Sequence, residues 1–100
     1  MVLRIASLLI ALAAVPGRAE GERLCFSREE SRERIHAERL AEPFNVVRST
    51  AGAMHADALG AKLCRTDGNF VYEINLLDPN GRVVHATVDA ATGRPRPLPR

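Results

Sequence analysis

The sequence contains no tryptophan, only three phenylalanines and one tyrosine, and little net charge, +2 in 100 residues. Nucleic-acid binding by a small protein requires a basic patch and usually stacking aromatic rings, so this composition argues against a nucleic-acid partner. The length excludes a multidomain enzyme and a multi-span membrane protein, because one small domain uses all of it. We therefore expect one small domain.

The sequence also lacks a long hydrophobic run. Residues 5–15 form an apolar stretch of eleven residues, whereas a membrane-spanning helix needs about 20. Arg4 precedes this stretch, and Gly17 and Ala19 place small residues before a possible cleavage point. This pattern predicts a signal peptide over residues 1–19, cleaved after Ala19. We expect a periplasmic or secreted protein with no stable membrane anchor after cleavage.

The rest of the chain has a small hydrophobic content and only two cysteines. Residues 1–19 hold 14 of the 46 apolar residues and two more basic than acidic residues, so residues 20–100 are formally neutral. In an oxidising compartment the two cysteines allow one disulfide, Cys25–Cys64. Closing that loop is worth on the order of 3–4 kcal/mol. A reactive thiol or a metal-ligand pair is the alternative, but neither cysteine lies in a CxxC motif or beside a histidine.

Residues 20–42 are predicted to form an N-terminal extension with a charged surface helix. Ser27 and Glu30 have the spacing of a capping box, which predicts that a helix begins there. The run continues to about Arg39, with Glu30 and Arg34 spaced to form an ion pair. Residues 20–24, ahead of it, are expected to be a loose lead.

A second helix is expected to begin at Pro43, because proline suits the first helical position. Phe44, Val47, Ala51 and Met54 then share one helix face, which predicts that this face lies in the core.

From residue 57 onward the hydrophobic period changes from that of a helix to that of a strand. Two turn-like segments, residues 67–69 and 78–81, separate three alternating runs, which predicts an antiparallel meander. Its apolar face is expected to consist of Leu59, Ala61, Leu63, Phe70, Tyr72, Ile74, Leu76, Val84, Ala86 and Val88. The predicted fold class is α+β, with two N-terminal helices packed on one face of a three-stranded antiparallel β-meander. Residues 94–100 are expected to be a disordered Pro/Arg tail.

Three segments of the meander resemble the PepSY family. They are the Tyr-Glu strand of residues 70–74, the hairpin of residues 78–83 and the Val-Asp-Ala-Ala-Thr-Gly run of residues 88–93. The resemblance covers residues 43–93 as one domain. It implies a non-enzymatic binding or regulatory module, because family members occur in the propeptides of secreted metallopeptidases and as small periplasmic proteins. The implied partner is another periplasmic protein, a peptidase or a sensor.

The motif residues also have a physical interpretation. Asp78 and Gly81 fit a tight turn, while Asp89 can accept backbone N–H groups from the turn after it and Gly93 can supply a positive φ. Together with Thr92, these residues are predicted to end strands, not to perform chemistry.

No nucleophile motif accompanies the three histidines, so we predict no enzymatic activity, no catalytic residues and no cofactor. His85 could approach Glu73 or Asn75 across a hairpin, which makes it a weak candidate for a metal ligand, although one histidine and one carboxylate are an incomplete zinc site. The alternative to a regulatory module is therefore a periplasmic protein that binds a small ligand or a metal.

Overall fold

A computed structural model describes residues 22–96. The predicted signal peptide, residues 1–19, and residues 97–100 of the predicted tail lie outside the described residues. Within this part of the chain, no helix is long and apolar enough to cross a membrane. The elements follow the order β1 (Arg23–Cys25), α1 (Arg28–Ala37), α2 (Pro43–Met54), β2 (Asp57–Thr66), β3 (Asn69–Leu77) and β4 (Val83–Asp89).

The chain has the expected α+β fold class, with two helices followed by an antiparallel sheet. The prediction of three strands was wrong, because the sheet has four in the order β1-β2-β3-β4. The additional strand β1 lies within the segment expected to be a loose lead and pairs with the end of β2, Cys25 opposite Cys64. Three residues are too few to show an alternating pattern, so only its pairing with β2 identifies this strand.

Local hydrogen bonds explain where both helices begin. Ser27 and Glu30 form the predicted capping box, with each side chain accepting the other residue's backbone N–H at 3.1 Å. At the start of α2 the Glu42 carboxylate accepts the N–H of Asn45 at 2.9 Å, and Pro43 occupies the first turn. These contacts satisfy amide groups that a helix cannot pair internally.

The core lies against one face of the sheet. Its buried side chains are Val46, Leu63, Tyr72, Ile74, Leu76, Val88 and Ala90. Partly buried residues of both helices, including Ile35 and Val47, contact this cluster. Among the described residues no polar or charged residue is buried, so hydrophobic burial is the main stabilising term of this core.

Several residues expected in the core are exposed. In α2 Val46 is buried, whereas Phe44 and Met54 are 63% and 38% exposed. The helix therefore presents a neighbouring face to the sheet, and the Arg48 guanidinium lies 5.5 Å from the Phe44 ring. Leu59 is also exposed, because β2 has an irregular register at this point that interrupts the alternation.

The chain after Gly93 runs beside the last strand. Arg96 N–H donates to the Thr87 carbonyl at 2.9 Å, and Asp89 N–H donates to the Arg94 carbonyl at 2.8 Å. The sequence interpretation expected the sheet to end at Gly93. Residues 94–96 thus pair with backbone groups of β4 that would otherwise have no partner. The proline-rich and arginine-rich composition of the tail did not indicate this pairing.

Candidate functional site

A groove of about 330 Å³ lies between α1, the start of α2 and β2. Its apolar lining comprises Phe26, Ile35, Pro43, Ala61, Leu63 and Tyr72. Arg28, Ser31 and Arg32 of α1 also line the groove, and Lys62 borders it from β2, with its side chain on the other face of the sheet from Ala61 and Leu63. Within residues 22–96 no carboxylate lines the groove. The groove therefore has an apolar floor with positively charged residues around it.

One side of this groove is an open strand edge. β1 covers β2 only from Cys64 to Thr66, after which Phe26 N–H donates to the Leu63 carbonyl at 3.0 Å. Among the described residues, residues 57–62 of β2 pair only with β3, with an irregular register at Leu59. Because hydrogen-bonding directions alternate along an antiparallel strand, the N–H and C=O of Ala61 point the same way as those of Leu63, away from β3.

Helix α1 is held beside this edge by a stack of rings and guanidinium groups. The Phe26 ring lies between two arginines, Arg34 at 5.0 Å and Arg65 at 5.9 Å. Arg65 also lies 5.5 Å from Phe70, and the two phenylalanine rings are 6.1 Å apart. Arg34, expected to pair with Glu30, contacts an aromatic ring in this stack. Cation–π contacts of this kind fix the helix relative to β2.

Tyr72 forms the deepest polar contact at the groove. Its hydroxyl donates to the carbonyl oxygen of Ala41 at 2.6 Å, and its side chain is nearly fully buried. Burial, reinforced by the nearby Glu42 carboxylate, raises the pKa of Tyr72 to about 12. The hydroxyl therefore stays protonated at neutral pH and donates to the Ala41 carbonyl.

The opposite face of the sheet carries the two cysteines and an ion pair. Cys25 and Cys64 form a disulfide across β1 and β2. Beside it, the Arg23 guanidinium donates to both carboxylate oxygens of Glu73, at 2.7 and 2.5 Å. The hydrogen bonds from Arg23 hold the pKa of the Glu73 carboxyl below its usual range, although partial burial opposes the shift. This arrangement fastens the short strand β1 to the sheet.

In the part of the chain that the structure describes, no metal-ligand set surrounds His85. Its Nδ1 lies 2.6 Å from the Asn75 side-chain oxygen. Among the described residues, the one group with metal-ligand spacing is Cys25, Cys64 and Glu73. Since both sulfurs are in the disulfide and the carboxylate is bound by Arg23, that group offers no free ligands.

The motif residues lie in two turns away from the groove. The Asp78 carboxylate accepts the N–H groups of Asn80 and Arg82, at 2.8 and 2.9 Å, and Gly81 has a φ of 82°. This network closes the hairpin between β3 and β4.

The second turn follows β4 and has the same design. The Asp89 carboxylate accepts the N–H of Ala91 at 2.8 Å and of Thr92 at 3.3 Å. The Thr92 hydroxyl accepts the Arg94 N–H at 3.2 Å, and Gly93 has a φ of 79°. Backbone hydrogen bonds also close both turns, from Gly81 N–H to the Asp78 carbonyl and from Gly93 N–H to the Asp89 carbonyl.

Comparison with known families agrees with this arrangement of helix, meander and strand-ending turn. The family of the peptidase propeptide and YPEB domain, PepSY, matches residues 46–95, half of the chain. The chain belongs to the PepSY family. No curated protein and no solved structure matches it. The PepSY match takes in nearly all of α2 and the strands β2 to β4, while β1 and α1 precede it.

The groove was not predicted from the sequence. The many charges of α1 indicate a solvated helix, although Arg28, Arg32 and Ile35 are spaced i, i+4 and i+7 and so share one face. That spacing is the one signal that could have indicated a cationic face beside an apolar residue. The position of the open edge depends on how far β1 extends, which the sequence did not reveal.

Proposed function

We propose that this protein is an exported, non-enzymatic regulatory module that acts by binding another protein, a secreted peptidase or a sensor in the periplasm. The chain belongs to the family of the peptidase propeptide and YPEB domain, which supports a regulatory role. The signal-peptide pattern of residues 1–19 supports export.

The observation that carries the proposal is the uncovered stretch of β2, residues 57–62. An exposed strand edge presents unpaired N–H and C=O groups, and a segment of another protein can pair with them. Binding of this kind needs no catalytic group. A module that holds an extended segment of a peptidase can restrain that peptidase or report its presence.

Inhibition and capture measurements test this function together. The exported protein, with its disulfide intact, is added to secreted metallopeptidases from the same cells, and hydrolysis of a peptide substrate is followed. Cross-linking in the exported fraction then identifies bound proteins by mass spectrometry. We expect slower hydrolysis or one reproducible peptidase or sensor partner. Unchanged hydrolysis together with no partner would contradict the proposal.

Export has its own test. The full chain is expressed in a bacterial host, and the intact mass of the product in the periplasmic fraction is measured. We expect a chain that begins at Glu20, with both cysteines oxidised. An uncleaved chain in the cytoplasm with two free thiols would contradict both the location and the proposed compartment.

The second candidate function is binding of a small ligand, and the volume of the groove favours it. At about 330 Å³ the groove lies at the lower end of the size range of ligand pockets. A screen of small carboxylates and of zinc and copper ions, read as shifts in melting temperature, separates this candidate from protein binding. A strong shift with a small molecule, without any protein partner, would favour the alternative.

A further inference from the structure

We propose that the groove and the open edge of β2 together form a binding site for an extended peptide segment of the partner, one in which acidic residues alternate with apolar ones. The segment adds to β2 as a further strand beyond the end of β1. This inference rests on the proposed function and specifies the partner surface that the protein recognises.

The backbone of Ala61 has free hydrogen-bonding groups at the open edge. Ala61 lines the groove, and its N–H and C=O point to the open edge. Neither group forms a hydrogen bond with another described residue outside the β2–β3 pairing. An added strand satisfies both groups, and it continues the line of β1 along the same edge of β2.

The side chains near the open edge favour a segment of alternating character. Successive side chains of an extended strand point to opposite faces, so every second residue of an added segment faces the apolar floor that includes Phe26, Ile35 and Leu63. The residues between them face the other side of the sheet, where Lys62 lies beside the open edge, opposite Glu73 of β3. Arg28 and Arg32 of α1 add positive charge around the floor. Acidic residues in the segment therefore complement the site electrostatically.

The nearest competing carboxylate is already bound. Glu73 interacts electrostatically with Lys62, but both of its oxygens accept hydrogen bonds from Arg23. The positive charge of Lys62 beside the open edge is thus available to a ligand.

Charge favours a foreign segment over a second copy of this chain. Pairing of two copies through this edge would bring two sets of Arg28, Arg32 and Lys62 together, and like charges at short range oppose association.

The groove is built largely from residues that precede the family match, such as Phe26 and Arg28. The site therefore belongs to the N-terminal addition of this chain, packed against its PepSY part.

The experiment uses a dye-labelled, end-capped peptide of alternating valine and glutamate, titrated with the exported protein and read by fluorescence anisotropy. Replacing glutamate with glutamine tests the charge. Two N-methylated peptides test strand addition, one methylated at the valine amides and one at the glutamate amides. In an added strand the N–H groups of only one of the two residue types point toward β2. They are those of the valines if the strand is antiparallel to β2 and those of the glutamates if it is parallel.

We expect one N-methylated peptide to bind at least ~10-fold more weakly than the parent, while the other retains its affinity. The variants Ala61→Pro, which removes an edge N–H, and Lys62→Glu, which reverses the charge facing the glutamates of the peptide, should each weaken binding ~5-fold or more. Arg94→Glu is the matched charge control and should leave binding unchanged, since Arg94 lies beside the opposite edge of the sheet. Melting curves confirm that each variant is folded.

Four results would overturn the site. The first is equal binding of both N-methylated peptides, and the second is equal effects of Lys62→Glu and Arg94→Glu. The third is tighter binding of a simple fatty carboxylate that is unaffected by Ala61→Pro. The fourth is a dimer, seen by sedimentation, that Ala61→Pro dissociates. If the peptide fails to bind but the protein still inhibits a peptidase, the proposed function stands and this site is wrong. If the peptide binds as expected but no partner is found, the site stands and the proposed peptidase or sensor role fails.

Discussion

The hydroxyl of Tyr72 donates a 2.6 Å hydrogen bond to the carbonyl oxygen of Ala41, which joins the centre of the sheet to the segment between the two helices. The N–H of Ala41 donates in turn to the Ala90 carbonyl at 2.7 Å. On the other face of β3 the next residue, Glu73, binds Arg23 of β1. Two consecutive residues of the PepSY-like Tyr-Glu pair thus fasten the N-terminal extension from both faces of the sheet.

Removing the Tyr72 hydroxyl tests its hydrogen bond to the Ala41 carbonyl. We expect Tyr72→Phe to lower the free energy of unfolding by about 1–2 kcal/mol, because the Ala41 carbonyl loses its donor while the ring remains buried. Urea unfolding followed by circular dichroism measures the change. A loss below a few tenths of a kcal/mol would show that water replaces the hydroxyl at no cost.

The same contact predicts a titration that can be observed directly. Tyr72 is the only tyrosine and the chain has no tryptophan, so tyrosinate absorbance near 295 nm reports this one group. We expect a midpoint pKa of about 12 in the folded protein and about 10 in urea. Because the folded value is the higher one, its contribution to stability is complete below pH ~10 and is lost as the pH rises toward 12. Equal midpoints in the two states would contradict the burial of this hydroxyl.

How far the sequence predicts this fold depends on whether a segment carries a repeating pattern. The capping box at Ser27 and the alternation in β3 are local signals, and both elements form where they were expected. Strand β1 carries no such signal, because it is three residues long and is defined by its partner β2. Phe44 shows a different failure: a periodic stripe predicts that a helix has an apolar face but not which side of that stripe meets the sheet.

The candidate site was harder to predict than the fold. The disulfide was predicted from the cysteine count and the expected compartment, and the structure contains it. The groove needs α1, the end of β1 and the irregular strand β2 to be placed together, and each of these positions depends on tertiary contacts. A charged helix such as α1 looks solvated in isolation, and only its packing against Phe26 and Leu63 shows which arginines line a cavity.

Breaking the disulfide should weaken the attachment of β1 to β2. For Cys25→Ser with Cys64→Ser we expect the free energy of unfolding to fall by about 3–4 kcal/mol, because the unfolded chain regains the freedom of a long loop. Thermal and urea unfolding with and without reductant measure this. The reduced native protein is the matched control and should unfold like the double variant. A loss under ~1 kcal/mol would contradict a stabilising bridge.

The ion pair beside the disulfide predicts an acid-dependent component of stability. The Arg23 hydrogen bonds lower the pKa of Glu73 from its usual value of 4.5. A lowered folded value means that the contribution is present above pH ~4.5 and is lost as the pH falls through the folded pKa. We expect Glu73→Gln to have a lower melting temperature than the parent at pH 7. Below pH ~4.5 the melting temperature of the variant should fall less steeply with decreasing pH than that of the parent.

Arg23→Gln provides the partner variant in this test. If the pair acts as a unit, Arg23→Gln should reproduce the effect of Glu73→Gln, and the double variant should add little to either. Fully additive losses would show that the two side chains contribute independently, in spite of their contact.

Alanine substitution at two glycines separates backbone conformation from packing. Gly93 has a φ of 79° in the turn after β4, and an added Cβ would meet Ala41 and Val46 only at ordinary contact distance, 3.6 Å. We therefore expect Gly93→Ala to destabilise by about 1–2 kcal/mol through its left-handed conformation alone. Gly52 lies within α2 with open space around it, and Gly52→Ala should stabilise by about 0.5–1 kcal/mol. Urea unfolding of both variants measures the difference in sign. Equal effects at the two positions would mean that the turn relaxes to a conformation that any residue adopts, and the Asp89 hydrogen bonds to Ala91 and Thr92 would then not define the end of the strand.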